Sequence, residues 1–525
     1  MKYRFLIIFL ALALPFSLIS EDVEDEVVVI SSKYPVPLDE VVGSVATISQ
    51  EDIEGRIVNN LGDLMEQTIG VSVNKITSYG RTYNEGISIR GLGGKRVNII
   101  VDGIRISDAY TGYGRDIVEM DLIKRVEILK GPSSALYGSD GLAGAVSYIT
   151  KDASDLADPG NNYYSISTTY DEDSDQNKIN FLGATVGQNI EALLQITSRD
   201  LSEGELHDDA TLTPNPLSAD QSSVLGKLKL ILSDSFEATI TADFQEWEGD
   251  IELNSDETMS FYPVILNTSE SVGVDEGTRE RVSLKLDFLG ESFFENGSIN
   301  IFTQETEQEQ QTTKSQQTFG NGLQAGPTAL SSEFRNYQFN QSIDGFSAEF
   351  FKTIGSDDFR RTHNLVYGFE YESTDTQRPR IRVSTNLMTG AQNTFLGGEY
   401  YPNKTFPDTE TKRKAFFIND RIEVDERTAV VLGARYDGYE LNPKPDALFE
   451  ANNQTGYQLA EIDDSEVSLK LGFIRDLTED VSFYAQYAEG FRSPDYESAN
   501  LSFTNLAYYY MVRPNPNLES ERSDG

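Results

Sequence analysis

Residues 236–245 read FEATITADFQ, and apolar side chains alternate with polar ones throughout this stretch. A period of two places the apolar side chains on one face of a β-strand and the polar side chains on the other. The same alternation recurs at VSLKLDF (282–288), VSLKLGF (467–473) and VSFYAQY (481–487). Most of the chain is therefore predicted to be β-sheet with one apolar and one polar face.

Strands of this kind occur in two architectures, a soluble sandwich and a membrane barrel. A sandwich packs the apolar faces of two sheets together, whereas a barrel turns its apolar face towards lipid. Here the polar faces carry charged residues in strand after strand, which a water-filled lumen permits. Tight links such as 187–188 and 477–478 also alternate with long ones such as 248–279 and 309–342, a pattern typical of outer-membrane barrels. We therefore expect an all-β transmembrane barrel.

The alternation predicts about thirteen barrel strands within residues 160–525. They are expected to begin near residues 163, 177, 189, 223, 236, 280, 297, 343, 362, 413, 427, 466 and 479. Bacterial single-chain barrels have an even number of strands, and plugged transporters have about 22. We therefore interpret the sequence as a C-terminally truncated barrel that lacks about nine strands. The last residues, SERSDG (520–525), are expected to form no strand.

The composition excludes several classes of protein. The 525 residues carry a net charge of −42, so nucleic acid, whose phosphates would be repelled, is not an expected partner. The chain has no Cys, which excludes disulfides and thiolate metal sites, and it has only two His residues. No run of 18 apolar residues follows the first 20, so no transmembrane helix is expected in the mature chain. The acidity fits a salt-adapted surface or a field that attracts cationic partners.

The N-terminus carries two distinct signals. A basic start, an apolar run and a small polar end predict a secretory signal peptide over residues 1–20, although an N-terminal membrane anchor is the alternative. The following segment, 21–33, contains five acidic residues and then the β-branched run VVVI (27–30), with no evident hairpin partner. Such a strand can be a template for β-augmentation by another protein or the first strand of the next domain. The pattern alone leaves both open.

Residues 34–152 are predicted to form a compact α+β domain without a catalytic set. Short apolar runs lie between glycines, which fit tight turns and close backbone approach. The stretch GLGGK (91–95) lacks the spacing of a phosphate-binding loop. The domain contains no His, so Ser133 or Ser134 cannot form a Ser–His pair within it.

Two blocks of this domain, ISIRGLGGKRVNIIVDGIRI (87–106) and VEILKGPSSALYGSDGLAGAVSYIT (126–150), resemble the plug domain of TonB-dependent outer-membrane receptors. The stretch EDEVVVIS (24–31) resembles the TonB box of that family. The resemblance implies that residues 34–152 plug the barrel in the outer membrane, and that the box binds the periplasmic protein TonB. The box residues are Glu26, Val27, Val28, Val29 and Ile30. The plug motif residues are Arg90, Gly91, Gly93, Asp102, Gly103, Gly131, Pro132, Tyr137 and Gly138.

A second resemblance lies near the end of the chain, in residues 490–518. Three prolines and four asparagines predict a loop rather than a strand or helix, and counting strands places it outside the cell. Its two ends resemble the FRAP and NPNL boxes of receptors that take haem or iron from haemoglobin, transferrin or lactoferrin. These boxes are Phe491, Arg492, Ser493 and Pro494, and Asn515, Pro516, Asn517 and Leu518.

The loop departs from the haem-receptor pattern because it contains no His to act as an axial iron ligand. Tyr508, Tyr509 and Tyr510 are the candidate ferric-iron ligands there, through a phenolate, and the alternative is that they are packing or girdle residues. His207, in an acidic long loop, is a further metal candidate. We expect Arg492 to fix the loop through charge-assisted hydrogen bonds rather than to meet a haem propionate.

These observations predict energy-coupled uptake of haem, or of iron drawn from a haemoprotein, with no permanently bound cofactor. The expected partners are TonB, outer-membrane lipid and haemoglobin or another iron-carrying protein. A ferric siderophore is the alternative cargo, and a passive porin or adhesin is the rival function. An enzyme is not expected, because the sequence shows no Ser/His/Asp set and no His-rich metal set.

Overall fold

The computed structural model describes residues 27–525 except 57, 59, 75–85, 107–117, 173, 205–210, 212, 261–263, 291, 321–322, 324–325, 356–360, 453–456, 479–480 and 507–508. Four of the predictions above therefore fall outside the described residues. They are the signal peptide over 1–20, Glu26 of the TonB-box-like segment, His207 and Tyr508.

The first domain, which we call the plug, is a small α+β unit. Its described elements are β1 (Val27–Val28), β2 (Val36–Pro37), β3 (Val45–Ile48), α1 (Gln50–Gly55), α2 (Leu61–Met65), β4 (Val71–Asn74), β5 (Gly86–Ile89), β6 (Leu92–Gly93), β7 (Val97–Val101), β8 (Ile104–Arg105), β9 (Ile123–Lys130), α3 (Ser134–Tyr137) and β10 (Gly144–Thr150). The main sheet has the order β3-β9-β10-β7-β8, in which β7 and β10 are parallel. Apolar side chains with exposed fractions of 1% or less, such as Leu64, Val126 and Val146, form its core.

Local signals in the sequence define the two longer helices of the plug. Ser49 caps α1 and forms a reciprocal capping box with Asp52, while Ile53 turns into the core. Asn60 caps α2 by accepting a hydrogen bond from the backbone N–H of Asp63. Among the described residues, every helix is too short or too polar to cross a bilayer.

The rest of the chain forms one large antiparallel sheet with short elements in its connections. The elements are β11 (Asn162–Asp171), β12 (Gln176–Val186), β13 (Ile190–Ser202), β14 (Leu217–Ser233), β15 (Phe236–Glu252), β16 (Thr258–Ser260), β17 (Ile265–Leu289), β18 (Asn296–Phe319), β19 (Ala329–Ile354), β20 (Thr362–Gln377), β21 (Pro379–Asn386), β22 (Gln392–Asn393), β23 (Phe395–Leu396), β24 (Glu399–Tyr400), β25 (Asn403–Lys404), β26 (Asp408–Asp425), β27 (Thr428–Lys444), α4 (Ala447–Glu450), β28 (Ile462–Asp476), β29 (Ser482–Arg492), α5 (Tyr496–Asn500), β30 (Phe503–Asn505), β31 (Tyr510–Val512) and β32 (Glu521–Asp524). In this described part, thirteen strands are ten or more residues long, which confirms the predicted number.

The direction of the two sheet faces distinguishes a barrel from a sandwich. On β15 the apolar Ile240 and Phe244 are 43% and 39% exposed, whereas the polar Thr241 and Asp243 are 8% and 1% exposed. The apolar face therefore points outward and the polar face points inward onto the plug, the reverse of a sandwich. Consecutive long strands pair with their chain neighbours, as in an up-and-down barrel.

The connections lie at two ends of the barrel. Tight turns at 187–189, 234–235 and 426–427 define what we call the turn end, and the long connections at 378–407 and 493–520 define the loop end. Every second connection along the chain returns to the same end of the barrel. The alternation of short and long connections predicted from the sequence is therefore present in the structure.

Two strands begin much earlier than the sequence predicted. β17 and β19 begin at residues 265 and 329, not near 280 and 343, so much of the expected loops 248–279 and 309–342 is strand. These extensions lie at the loop end, beyond the outward apolar band, and burial still alternates along them: Asp275 and Arg279 of β17 are 0% and 3% exposed. Polar residues occupy both faces and the apolar–polar period of two disappears, although the backbone ladder continues, for instance from Thr306 to Gln317 against β17.

Two predictions about the end of the chain were wrong. Residues 520–525 do not lack a strand, because β32 pairs antiparallel with β29, with Arg522 opposite Phe491. Nor is 490–518 loop throughout, since it contains α5 and the β30–β31 hairpin. Asp495 explains the helix, because its carboxylate caps α5 by accepting from the Ser498 N–H. Among the described residues, no pairing joins β32 to β11, the other outer strand of the sheet.

Candidate functional site

The FRSP segment, residues 491–494, lies buried against the plug rather than in contact with solvent. Phe491 is 3% exposed and Ser493 is 5% exposed. The Phe491 N–H donates to Ser134 Oγ at 2.9 Å, and the Ser493 N–H donates to Ser139 Oγ at 3.1 Å. Two serines of the plug stretch KGPSSALYGSD thus hold this segment through its backbone. The segment begins the loop by fixing it to the plug.

Charged residues reinforce this attachment. The Arg492 guanidinium binds Glu521 at 2.9 Å, contacts the Asp495 carboxylate, and lies 3.7 Å from Asp140 of the plug. Lys95 of the plug binds Asp495 at 3.0 Å. Burial alone would raise the pKa of the Asp495 carboxyl, but Lys95 and Arg492 hold it well below its usual range. Arg492 therefore lies in a network of ion pairs that attaches the start of the loop to the plug.

Residues 509–519 of the loop, by contrast, are mostly exposed, whereas α5 is buried, with Tyr496 and Asn500 at 2% and 0% exposure. Tyr509 is 86% exposed and Tyr510 is 48% exposed, while Asn515 and Asn517 of the second box are also exposed. Tyr510 accepts a hydrogen bond from the Asn505 side chain at 3.4 Å across the β30–β31 hairpin. Both described tyrosines can therefore reach a ligand that approaches from the loop end. Pro516 is exposed and Leu518 is half-buried, which completes the NPNL box.

The structure shows no preformed metal site in the residues it describes. Within them, no three His, Asp or Glu side chains are grouped to hold an ion. His363 lies on β20 and its Nδ1 is 2.7 Å from Asp420 Oδ2, a single pair rather than a ligand set.

A network of arginines beside this loop escaped the sequence analysis. Arg380 binds Glu399 at 2.7 Å, and Arg382 binds Glu333 at 2.9 Å. The guanidinium of Arg380 lies 5.3 Å from the ring centroid of Tyr401, a cation–π contact. The sequence did contain a signal, since the arginines of RPRIR (378–382) are spaced two residues apart, and Arg380 and Arg382 share one face of β21.

The plug motif residues are mainly structural. Asp102 adopts a φ of 51° and its carboxylate accepts from the Thr150 N–H and hydroxyl at 2.9 and 2.6 Å. Lys227 and Arg281 of the barrel lie 4.0 and 3.8 Å away, and they hold the pKa of Asp102 below its ordinary value although burial opposes this. With Gly103 at a φ of 82°, this turn joins the plug to the barrel wall.

The glycines of the motif allow sharp turns or close approach. Gly91 and Gly131 have φ angles of 85° and 123°, and Arg90 precedes the first of these turns with a φ of 52°. A Cβ on Gly93 would lie 2.4 Å from Ser88 Oγ, and one on Gly138 would lie 2.7 Å from a carboxylate oxygen of the barrel. Pro132 follows the second turn, and a Cβ added to Gly525 would lie 2.6 Å from its Cδ.

The strand β1 is not free, contrary to the expectation that it lacks a hairpin partner. Val28 pairs with Val36 and is fully buried. The sequence obscured this partner because β2 ends in Pro37 and is only two residues long, a position that an edge strand tolerates. The segment with a TonB-box-like sequence therefore lies inside the barrel, folded against the plug.

Four side chains hold the residues that follow β1. Glu127 accepts from the Val29 and Ile30 N–H groups at 2.9 and 2.8 Å. The Tyr137 hydroxyl donates to the Ile30 carbonyl at 3.0 Å, and burial raises the pKa of Tyr137 well above its ordinary value, which keeps this donor protonated. The barrel contributes Asn419 and Lys470, which donate to the backbone carbonyls of residues 32 and 31.

Comparison with known proteins identifies two regions. The sequence model of the TonB-dependent Receptor Plug Domain matches residues 37–145, and that of the TonB dependent receptor-like beta-barrel matches residues 224–525, more than half of the chain. A hemin receptor of Yersinia enterocolitica is 24% identical over 478 residues, 88% of this chain and 59% of that protein. The vitamin B12 transporter BtuB of Vibrio vulnificus is 38% identical over 126 residues, 24% of this chain and 20% of that protein. The chain thus spans less than two thirds of these relatives.

Solved structures share the fold at lower identity. The Serratia marcescens hemophore receptor HasR, in complex with its hemophore HasA and heme, has a TM-score of 0.69 at 16% identity, over 93% of this chain and 68% of that one. The siderophore receptor PiuA of Acinetobacter baumannii has a TM-score of 0.63 at 16% identity, over 93% of this chain and 70% of that one. The likeness concerns the fold and does not separate the two kinds of ligand.

Proposed function

This chain belongs to the TonB-dependent receptor family, and on that premise we propose that it imports haem, or iron drawn from a haemoprotein, across the outer membrane. The observation that carries the proposal is the position of β1 inside the barrel. A strand that is to bind TonB must first leave β2 and Glu127, so exposure of the strand and movement of the plug are coupled. The family consists of receptors and transporters rather than enzymes.

The outward apolar face of the sheet supports a place in the outer membrane. Side chains such as Ile240, Leu469 and Phe416 are 43%, 47% and 58% exposed and would meet hydrocarbon. The loop end would then face the outside of the cell and the turn end the periplasm, which places β1 where TonB can reach it.

The two sequence boxes at the ends of the loop after β29 support haem as the favoured cargo. The FRSP and NPNL boxes stand in the order that haem receptors use, and a hemin receptor is among the relatives. Tyr509 and Tyr510 supply accessible phenol groups in place of the missing His, and a phenolate is a known haem-iron ligand. The exposed loop end leaves room for haemoglobin or another iron-carrying protein to deliver the haem.

A ferric siderophore is the second candidate cargo. The siderophore receptor PiuA and the hemophore receptor HasR are each 16% identical to this chain, so these two structures do not favour haem over a siderophore.

Growth of an iron-starved host that carries the full-length receptor tests the cargo. We expect growth on haemoglobin or haem as the sole iron source, and growth only on ferric siderophores would reverse the order of the two candidates. Deletion of residues 26–31 tests the coupling, because it should stop uptake while ligand binding persists. Uptake that survives the deletion would identify a passive pore.

A further inference from the structure

The outward face of five neighbouring strands carries a row of acidic side chains at the loop end. The strands are β13, β14, β15, β17 and β18, and the row consists of Asp200, Asp220, Glu248, Glu276 and Glu309. Each of these residues is directly opposite the next in the pairing register. The Cβ atoms of directly opposed residues lie about 4.5–5.5 Å apart, and like charges at this spacing destabilise a sheet. The register therefore concentrates negative charge along one line of the barrel wall.

Further acidic residues widen this row into a patch, which we call the acidic belt. The belt comprises Asp200, Asp220, Glu246, Glu248, Glu276, Glu280, Glu305, Glu307 and Glu309, and all but the half-buried Glu309 are exposed. The basic residues of the same five strands all fall at the other, inward set of alternating positions. They are Arg199, Lys227, Lys229, Arg279, Arg281, Lys285 and Lys314. The face that carries the belt is thus purely acidic.

The centre of the row has no counter-charge within the described chain. At one end of the row, Glu309 accepts a hydrogen bond from the side chain of Gln338 at 2.8 Å. Among the described residues, however, the carboxylates of Asp220, Glu248 and Glu276 have neither an ion pair nor a hydrogen bond. Water can hydrate these exposed carboxylates, but their mutual repulsion is removed only by a counter-charge from outside the chain.

The position of the belt on the barrel is an independent indication of its partner. Phe244 is 39% exposed and is the outward residue next to Glu246, and Val282 is 42% exposed and is the outward residue next to Glu280. From there towards the turn end, the outward positions of these five strands, all of them described, hold no charged residue. An apolar face of this kind meets hydrocarbon, and the lipid headgroups lie at its edge. The belt is therefore continuous with the lipid-facing band and lies at the level of the headgroups on the loop-end side.

The chemistry of the belt indicates how a headgroup can bind there. A phosphate group would be repelled by bare carboxylates, so its binding requires a cation between the two. Ca²⁺ takes about six to eight oxygen ligands, and carboxylates are among those it prefers. Two opposed carboxylates supply only part of this set, and within the described residues no three acidic or His side chains are grouped to complete it. The phosphate oxygens of a lipid can supply the remaining ligands.

We propose that the acidic belt binds divalent cations that bridge it to the phosphate groups of lipids at the loop end of the barrel. The cations remove the repulsion along the row and complete their coordination with phosphate oxygens. The inference goes beyond the uptake of iron. It rests on the proposed place in the outer membrane and is independent of the cargo.

Retention of phosphatidic acid by the purified full-length receptor tests the bridge without any cargo. The receptor is equilibrated with phosphatidylcholine micelles that contain phosphatidic acid, in Ca²⁺ or in EDTA at equal ionic strength, and the bound lipid is counted by mass spectrometry. We expect at least fivefold more phosphatidic acid per receptor in Ca²⁺ than in EDTA. Equal retention in the two conditions would overturn the bridge. Retention of a cationic lipid in EDTA, with no effect of Ca²⁺ on phosphatidic acid, would also overturn it and would assign the belt to a cationic partner.

Substitution of the central pair distinguishes a bridge from a general effect of charge. Glu248→Gln with Glu276→Gln removes two directly opposed charges at nearly constant volume. In Ca²⁺ the double variant should retain at least threefold less phosphatidic acid than the parent. In EDTA it should retain more than the parent, because less repulsion remains. A defect in folding would not produce this change of sign.

The matched control removes two exposed carboxylates at the opposite end of the barrel. Asp234→Asn with Glu426→Gln alters two tight turns of the turn end, and it should match the parent in both conditions. An equal decrease in this control, or an effect of the same sign in Ca²⁺ and in EDTA for the central pair, would overturn the assignment to the belt. Neither measurement involves haem, so failure of the bridge leaves the proposed cargo untouched, and failure of haem uptake leaves the bridge untouched.

Discussion

Lys95 of the plug and Asp495 of the loop after β29 form an ion pair of 3.0 Å that joins two segments 400 residues apart in the chain. The same ammonium binds Glu497 at 3.0 Å, and it lies 4.7 Å from the centroid of the Tyr496 ring. The start of the loop thus rests on the plug through charge, aromatic contact and backbone hydrogen bonds. A shift of the plug would therefore strain these contacts and change the position of the loop.

Replacement of Lys95 by Met should therefore loosen the loop. Loss of one partner of a buried pair costs about 3–5 kcal/mol, and the cost here should fall below that range because Arg492 still contacts Asp495. We expect faster proteolysis within residues 493–520 and a lower thermal midpoint. Lys124→Met is the matched control, because its pair with Asp155 is more exposed and is worth about 0–1 kcal/mol. Equal effects of the two substitutions would contradict the role given to Lys95.

The same contact predicts how the loop responds to pH. The pKa of Asp495 is lower in the folded protein than its ordinary value of 3.8, because Lys95 and Arg492 outweigh the opposing effect of burial. A lowered pKa stabilises the fold above the ordinary value and loses this contribution as the pH falls through the folded value. Cleavage of the loop by an acid-tolerant protease should thus be constant from about pH 5 to 4 and rise below about pH 3.8. Asp495→Asn should remove this rise, and a rise of the same size in that variant would assign it to another group.

A disulfide between β1 and β2 should block coupling reversibly. Val28 and Val36 are opposite each other in an antiparallel pair, where Cα atoms lie about 4.5–5.5 Å apart, within the range that a disulfide spans. In this cysteine-free chain, Val28→Cys with Val36→Cys can form one bridge only. The oxidised protein should bind ligand normally but import none, and reduction should restore import. The single Val28→Cys variant is the control, and import by the fully oxidised double variant would show that β1 need not leave β2.

The alternation of side chains predicted the barrel because its two faces meet different surroundings. Ile240 faces outward and Thr241 faces the plug, and that contrast extends along each strand. The pattern failed where polar residues occupy both faces, as in the extensions of β17 and β19, although burial still alternates there. It also failed for β2, because Pro37 is unusual in a strand. The pairing of β2 with β1 depends on the burial of Val28, which the local sequence does not show.

The candidate site was harder to predict than the fold. The sequence singled out Phe491 and Arg492 by resemblance, but their partners Ser134 and Glu521 are distant or lie outside the motif. Side chains that act through long-range contacts leave no local pattern in a single sequence. The arginines of RPRIR are the exception, since their spacing of two is present in the sequence, although the network that they form was not predicted.

Gly138 should tolerate no side chain, because a Cβ would clash with the barrel. The cost of this clash can be measured separately from the cost of the strained backbone angle. A Cβ there would approach Asp437 Oδ1 to 2.7 Å, and the φ of 71° adds strain. Gly138→Ala should destabilise the plug in the barrel by about 2–4 kcal/mol, measured as the free energy of plug unfolding in urea. Gly103→Ala is the control, because its φ is 82° and its Cβ would meet nothing within 4 Å, so it should cost about 1–2 kcal/mol. Equal costs would show that backbone strain alone accounts for both glycines.

Substitution of the two described tyrosines in the loop after β29 can distinguish ligation of iron from packing. Tyr509 and Tyr510 are 86% and 48% exposed, and loss of a hydroxyl at an exposed site costs a packed structure little. If a phenolate binds the haem iron, Tyr509→Phe or Tyr510→Phe should weaken haem binding at least tenfold and alter the visible absorption of the complex. Tyr484→Phe is the matched control, because Tyr484 is also 48% exposed but lies on β29 outside the loop. Haem affinity within twofold of the parent in both loop variants, with an unchanged spectrum, would show that neither tyrosine binds the iron. Their role would then be packing or contact with a partner, and the iron ligand would lie elsewhere.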